Sequence, residues 1–292
     1  MILVDNNVEF LDIAEPGKKI EKVGRTCYKS DSAIADKTYE TFIKGIIKRG
    51  HTSVLEAERK LFCFDASIYE AALKEFFEYE HYFNVTFEGV NVFVSGNIRS
   101  WYNLLKDIDG DSSPCLQSLS TYLSKDYPYI FRDFGLYLKC LYGLEAEKEC
   151  KNLDKHKEYT FKIICSRTCS HQLVRHRSLS FAQQSQRYCN YANDKFGHSI
   201  SFVKNCVPNN SEVLIQELEN KYFELIENGT KPEDARQILP NCAATEICIT
   251  GTKDDWKKFC YLRSDSHAQK EIRNISDTIM SYLRLTKAEV GL

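Results

Sequence analysis

Residues 172–188 read Gln-Leu-Val-Arg-His-Arg-Ser-Leu-Ser-Phe-Ala-Gln-Gln-Ser-Gln-Arg-Tyr. Arg175, His176 and Arg177 stand together, and Arg187 follows ten residues after Arg177. Around them lie Gln172, Ser178, Gln183, Gln184, Ser185 and Gln186, with no carboxylate to neutralise the charge. Guanidinium forks hold phosphate bidentately, while amides and hydroxyls read a polar ring. The chemistry suits an anionic ligand that carries a heterocycle. An Arg-His-Arg tripeptide alone is better read as a solvated surface turn; the extended pattern shifts the reading toward binding. His176 lies between two arginines, which disfavours its cation, so a neutral hydrogen-bonding role is expected rather than acid–base work. Ser185 has no sequence-adjacent base to activate it and reads as a ligand contact, not a nucleophile.

Composition narrows the partners. Apolar residues make up 43% and charged residues 27% of 292, within the range of a globular protein able to bury a sizeable core in one large or two small domains. A formal net charge of −2 excludes a generic nucleic-acid coat and leaves the basic residues to be concentrated in a pocket. The start Met-Ile-Leu-Val-Asp-Asn-Asn lacks a basic, then apolar, leader pattern, and no apolar stretch approaches the roughly 20 residues of a membrane span. A cytoplasmic protein is expected. The twelve cysteines contain no Cys-x-x-Cys pair; they are expected to be free, mostly buried thiols in a reducing compartment, with no metal.

The elements that must position this segment follow from periodicity. Residues 34–49 carry Tyr39, Phe42, Ile43, Ile46 and Ile47 at helical spacing, closed by Gly50. Residues 211–228 repeat the device and end at Gly229. Pro232 opens a short helix that Pro240 closes. A last helix from about Asp265 places Ala268, Ile272, Ile275, Ile279 and Leu283 on one face. Strands are expected at 60–64, 84–87, 90–94 and 159–165, with weaker signals at Phe181 and 199–203; Glu88-Gly89 reads as a hairpin turn. Helices outnumber strands without βαβ alternation, which predicts an α+β fold.

The spacing Arg-His-Arg, seven residues, Ser, then Arg and Tyr resembles the signature of flavin-dependent thymidylate synthases. Three further segments are similar to that family's blocks, in its order: His51-Thr52-Ser53-Val54-Leu55-Glu56, Ala235-Arg236-Gln237-Ile238-Leu239-Pro240, and residues 262–273 around Arg263. The likeness covers roughly residues 1–60 and 158–285. It implies a mixed or antiparallel sheet flanked by helices, in one domain spanning 1–292 and interrupted by an insertion at about 62–157. It implies conversion of dUMP to dTMP with methylenetetrahydrofolate as carbon donor, FAD as cofactor, NADPH as reductant, and a homotetramer. By the same matching, His51, Ser53, Glu56, Arg175, His176, Arg177, Ser178, Gln183 and Lys258 would face FAD. Gln172, Leu173, Val174, Arg175, Gln183, Gln184, Ser185, Gln186, Arg187, Arg236 and Arg263 would surround dUMP. Arg263, beside the uracil N3 and carbonyl, would be the catalytic residue, because it stabilises negative charge that raises electron density at C5.

The chain departs from that pattern in places. Gln183 stands where the family often has Glu, and Cys27 where Ser is frequent. Thr252-Lys253-Asp254 and Lys258 replace a frequent Asn-x-Arg followed by Asn or His. The insertion, however, contains Ser95-Gly96-Asn97-Ile98-Arg99-Ser100-Trp101-Tyr102-Asn103. Set beside residues 250–258, it shares the Gly and Trp positions and has the Asn, Arg and Asn that the later segment lacks. Two roles are open for it: contacts to FAD or folate, or a solubilising or oligomer-contact subdomain. Two functions are likewise open, the synthase and a catalytically silent paralogue that binds dUMP or FAD. A flavin-free thymidylate synthase, with its Pro-Cys-His nucleophile, is disfavoured because the only Pro-Cys is Pro114-Cys115-Leu116.

Overall fold

The computed structural model of the chain describes residues 1–68, 82–193 and 196–291; residues 69–81 of the expected insertion lie outside that set. The strands are β1 (Ile2–Val4), β2 (Asn7–Phe10), β3 (Arg59–Asp65), β4 (Phe83–Glu88), β5 (Asn91–Asn97), β6 (Cys140–Tyr142), β7 (Glu158–Ser166), β8 (Ser180–Gln183), β9 (Ser201–Val203) and β10 (Ala244–Thr252). The helices used below are α1 (Pro16–Tyr28), α2 (Thr38–Lys48), α3 (Ile98–Leu105), α4 (Pro114–Asp126), α5 (Leu144–Glu149), α6 (Arg167–Leu173), α7 (Glu212–Glu227), α8 (Pro232–Ala235), α9 (Lys253–Arg263) and α10 (Lys270–Leu283). The fold is α+β, with antiparallel sheets flanked by helices and a two-stranded parallel pair, β1 with β9. Among the described residues no helix is long and apolar enough to cross a membrane.

The periodic segments appear with small shifts. The helix expected at 34–49 is α2, beginning at Thr38 after a 3-10 turn Asp31–Ala33. The last helix starts at Lys270 rather than Asp265, because residues 264–269 form a turn closed by the Ala268 N–H donating to the Asp265 carbonyl. Glu88 pairs with Asn91, so the hairpin loop is Gly89-Val90 and not Glu88-Gly89. Gly89 takes the positive φ that the first loop position needs.

Two four-stranded sheets dominate, ordered β2-β7-β10-β8 and β6-β3-β5-β4, each antiparallel throughout. They repeat each other in detail. In one, β10 runs through Gly251 to Thr252, whose side chain caps α9, and Trp256 lies buried, edge-on to Phe161 at 5.1 Å. In the other, β5 runs through Gly96 to Asn97, whose side chain caps α3, and Trp101 lies edge-on to Phe62 at 5.0 Å. Gly251 pairs with Tyr159 and Gly96 with Lys60, each two residues before that phenylalanine. A Cβ on Gly251 would overlap Leu179, and one on Gly96 would overlap Phe83, so both junctions require glycine for close packing. The outer neighbour of Phe161 is Phe10, and that of Phe62 is Tyr142. Each sheet is backed by a second helix, α10 through Ile272, Ile275 and Ile279, and α4 through Leu119 and Leu123.

The helix α1 lies where the two sheets meet. Its buried Lys19 bridges Glu158, which opens β7, at 2.6 Å and Glu58, which precedes β3, at 3.2 Å. Burial alone would lower the Lys19 pKa, but the two carboxylates outweigh it and hold the ammonium above its ordinary range.

Candidate functional site

The Arg175–Ser178 loop is pinned at both ends. Ser166 caps α6 by accepting from the Cys169 N–H at 3.0 Å, and its own hydroxyl donates to Glu271 at 2.6 Å. The helix ends at Leu173, which is fully buried, and the chain turns through N–H groups of Arg175, His176 and Leu179 donating to the carbonyls of Gln172, Leu173 and His176. Buried Leu179 leads back into β8. Arg175, Arg177 and Ser178 are exposed, and neither arginine has an ion-pair partner among the described residues. Val174 is also exposed.

His176 turns inward. The Arg263 Nε–H donates to His176 Nε2 at 2.8 Å, so the imidazole accepts there and carries its proton on Nδ1. Burial first, and the Arg263 charge second, push the His176 pKa down to about 4. The ring is neutral as expected, but the charge responsible is Arg263 rather than the flanking arginines. Its edge-on contact with Phe259 at 4.9 Å fixes the ring plane. Arg263 Nη2 reaches the Gln172 carbonyl at 3.4 Å, and the Gln172 side chain donates to Gln269. Arg263 Nη1 has no partner among the described residues.

A second group forms after β8. The Ser185 N–H donates to the Cys27 carbonyl at 3.0 Å, and its hydroxyl accepts from the Arg187 N–H at 3.2 Å. Arg187 Nε donates to the Glu233 carboxylate at 3.0 Å, and Arg236 Nε to the Glu233 carbonyl at 3.2 Å. Ser185, Arg187 and Arg236 are therefore brought together, with the α8 residue Glu233 occupying one guanidinium. Gln184 and Gln186 are buried; Gln184 donates to the Tyr191 hydroxyl at 3.1 Å and accepts from the Glu246 N–H at 3.2 Å.

The 3-10 segment Thr52–Ala57 supplies the third group. His51 Nδ1 lies 3.0 Å from the Tyr28 hydroxyl, and the Tyr28 ring packs on Tyr188 at 5.7 Å, over which the Arg187 guanidinium sits at 5.1 Å. Ser53 and Glu56 share a crevice with Ser180, Phe181 and Thr250, which seats this segment on β8 and β10. Glu56 accepts from Arg99 Nη1 at 2.5 Å. Gln183 Nε2 donates to Ser170 Oγ at 2.9 Å and Thr245 Oγ1 at 3.2 Å. Lys258 is not drawn in: it is exposed and paired at 3.3 Å with Asp255 of its own helix. Tyr28, Glu233, Gln269 and Phe259 were not picked out from sequence. Tyr28 ends a helix whose Gly17 and Gly24 blur the apolar stripe, and Glu233 has only its place in the first turn of α8 to mark it.

Exposed guanidiniums without ion-pair partners among the described residues, a neutral histidine locked to Arg263 and a hydroxyl–arginine cluster thus lie together on an antiparallel α+β scaffold. The family model described as thymidylate synthase complementing protein matches residues 149–286. A flavin-dependent thymidylate synthase of Pyrococcus horikoshii is 34% identical over 186 residues, covering 61% of this chain and 70% of the relative. Proteins of that name from Geobacter sulfurreducens and Thermococcus onnurineus are 37% and 39% identical, over 46% and 50% of this chain. The matches span 58% and 60% of those two relatives. The chain belongs to the flavin-dependent thymidylate synthase family.

Proposed function

We propose that the chain catalyses the reductive methylation of dUMP to dTMP, with methylenetetrahydrofolate as carbon donor, FAD as cofactor and NADPH as reductant. We further propose that it works as a homotetramer in the cytoplasm. The observation that carries this reading is the 2.8 Å bond from Arg263 to neutral His176, which holds a guanidinium at the Arg175–Ser178 loop with Nη1 still to be satisfied. That nitrogen is suited to donate to a uracil carbonyl, stabilising negative charge on the ring and enriching C5. Arg187 and Arg236, with the Ser185 hydroxyl, would hold the dUMP phosphate. Gln172, Leu173, Val174, Arg175, Gln183, Gln184 and Gln186 would complete that pocket, Leu173 through its backbone only, since its side chain is buried in the core.

The donor set also fits FAD. Arg175 and Arg177 offer unpaired guanidiniums to an anionic cofactor, and His176 and Ser178 offer neutral hydrogen bonds, with His51, Ser53 and Glu56 on the facing segment. FAD, when bound, supplies the reducing equivalents; the protein binds, orients and polarises. The test is direct. Purified protein should retain or bind FAD and turn over dUMP only with methylenetetrahydrofolate and NADPH. Arg263→Ala should cut turnover by about 10²–10³-fold while FAD binding persists. Protein that binds no FAD refutes the reading, and FAD-binding protein without turnover favours the silent paralogue.

A further inference from the structure

Strand β8 ends at Gln183, which pairs with Ile247 of β10. The next rung is half main chain and half side chain. The Gln184 N–H donates to the Glu246 carbonyl at 2.8 Å, and the Gln184 side-chain oxygen accepts from the Glu246 N–H at 3.2 Å. Because the side chain closes that rung, the backbone is free to leave the sheet and turn at Ser185. The Ser185 hydroxyl accepts from the Arg187 and Tyr188 N–H groups at 3.2 and 3.4 Å, and its carbonyl accepts from the Cys189 N–H at 2.9 Å. Side chains alternate through the turn: Gln184 and Gln186 are buried, Ser185 is half-buried and Arg187 is exposed.

The two buried glutamines meet on one atom. Gln184 Nε2 donates to the Tyr191 hydroxyl at 3.1 Å, and the Gln186 side chain approaches the same oxygen as a donor. Tyr191 is itself immobilised. It is buried, its ring lies edge-on to Tyr222 of α7 at 5.8 Å and to Phe196 at 6.0 Å, and its N–H donates to the Tyr222 hydroxyl at 3.4 Å. The phenol therefore stands on the core formed with Ile200, Phe202 and Tyr222, and its oxygen holds the residues immediately before and after Ser185. Buried amides are costly without partners, and a site that needed only filling would be served by apolar side chains at 184, 186 and 191. Polar groups gathered on one pin specify a geometry.

We propose that Tyr191 is a positioning residue for the substrate phosphate: by fixing Gln184 and Gln186 it aims the Ser185 hydroxyl and the Arg187 guanidinium that lie between and after them. This rests on the dUMP reading above, and the experiment separates the two. Tyr191→Phe keeps the ring and removes the acceptor. Gln184→Leu cuts the same bond from its other end, and Tyr222→Phe removes a buried hydroxyl of the same core that touches neither glutamine. Each is assayed as the FAD-loaded enzyme, with thermal melts as a folding control. The dUMP KM should rise about fivefold or more in Tyr191→Phe and in Gln184→Leu, because the freed amides no longer fix the turn. For Tyr191→Phe, kcat at saturating dUMP should stay within about twofold of wild type, since Arg263 and His176 are untouched. Inorganic phosphate, competing with dUMP, should lose affinity by the same factor as dUMP, and the dUMP KM of Tyr222→Phe should stay within about twofold of wild type. An unchanged KM in Tyr191→Phe or Gln184→Leu, an equal rise in Tyr222→Phe, or a fall in kcat without a rise in KM overturns the proposal and leaves the dUMP reading intact. A wild-type enzyme that does not turn over dUMP overturns both.

Discussion

The sheet β2-β7-β10-β8 and the sheet β6-β3-β5-β4 share strand order, sense, a capped junction and a buried tryptophan on a phenylalanine. What separates them is the stretch between their central strands. Between β7 and β10 run residues 167–243, which hold the Arg175–Ser185 segment and Arg236; between β3 and β5 run residues 66–90, which contain no arginine. At the same distance beyond the cap, α9 ends on Arg263, while the other junction has Ile108 in the core that holds Trp101. The scaffold is thus independent of the chemistry. One copy supports a long polar excursion, and the other presents Arg99 at its strand–helix junction, with Lys19 holding the two together between Glu58 and Glu158.

If the two sheets are structural equals, their tryptophans should matter equally. Trp101→Ala and Trp256→Ala each remove a fully buried indole and should cost about 3–5 kcal/mol in urea unfolding, because the cavities can close only in part. A cost below about 1 kcal/mol for Trp101→Ala alone would make the second sheet an appendage rather than a copy.

The core and the site were unequally legible in sequence. The amphipathic stripes of α2, α7 and α10 were readable because each has one dominant face, and β3 and β7 because their aromatic and β-branched residues fall in short apolar runs. The central strand β10 was not, since it is covered on both sides and carries Glu246 and Gly251, poor strand formers held by neighbours on either edge. Helix α1 was hidden by its glycines, which let Tyr39 and Phe42 press against its backbone. For the site, Arg175, His176, Arg187, Arg236 and Arg263 were visible as residue types. That His176 pairs with Arg263, or Arg187 with Glu233, depends on how α9 and α8 return to the loop from 87 and 46 residues further along the chain, and no local spacing encodes that. The match of Gly96 and Trp101 with Gly251 and Trp256 was readable, but only the strand register turned it into a repeat of a whole sheet.

Each sheet also holds one histidine in the neutral state, for different reasons. His156 is clamped by Ser95 at 2.9 Å and Thr86 at 2.8 Å, and burial, then Arg59, push its pKa down to about 4. His176 reaches a similar value through burial and Arg263. Both folded-state values lie below the unfolded value of about 6.5. The stability they contribute is therefore complete above pH 6.5 and is lost as pH falls toward about 4, where the unfolded chain has taken up protons that the folded chain refuses. Melting temperature should drop across that window. Imidazole NMR should show Arg263→Ala moving the His176 titration up toward its ordinary range and leaving His156 unmoved. Equal movement of both would mean that the sheets are electrostatically coupled.

The smallest expected effect concerns how each sheet's arginine is held. Arg187 and Glu233 are exposed by 59% and 40%, so their pair should contribute no more than about 1 kcal/mol, and Glu233→Ala should shift stability by less than about 0.5 kcal/mol. The carboxylate nevertheless occupies Nε, on the edge that a phosphate would use, whereas Arg99 Nε is buried without a hydrogen-bond partner among the described residues. A phosphate arriving at Arg187 Nε must displace Glu233. Removing Glu233 should therefore lower the dUMP KM by a few-fold or leave it unchanged, while Arg187→Ala should raise it by about tenfold or more. A dUMP KM that rises in Glu233→Ala would show the carboxylate positioning Arg187 rather than competing with the phosphate, and the contrast with Arg99, which Glu56 holds by Nη1 alone, would disappear.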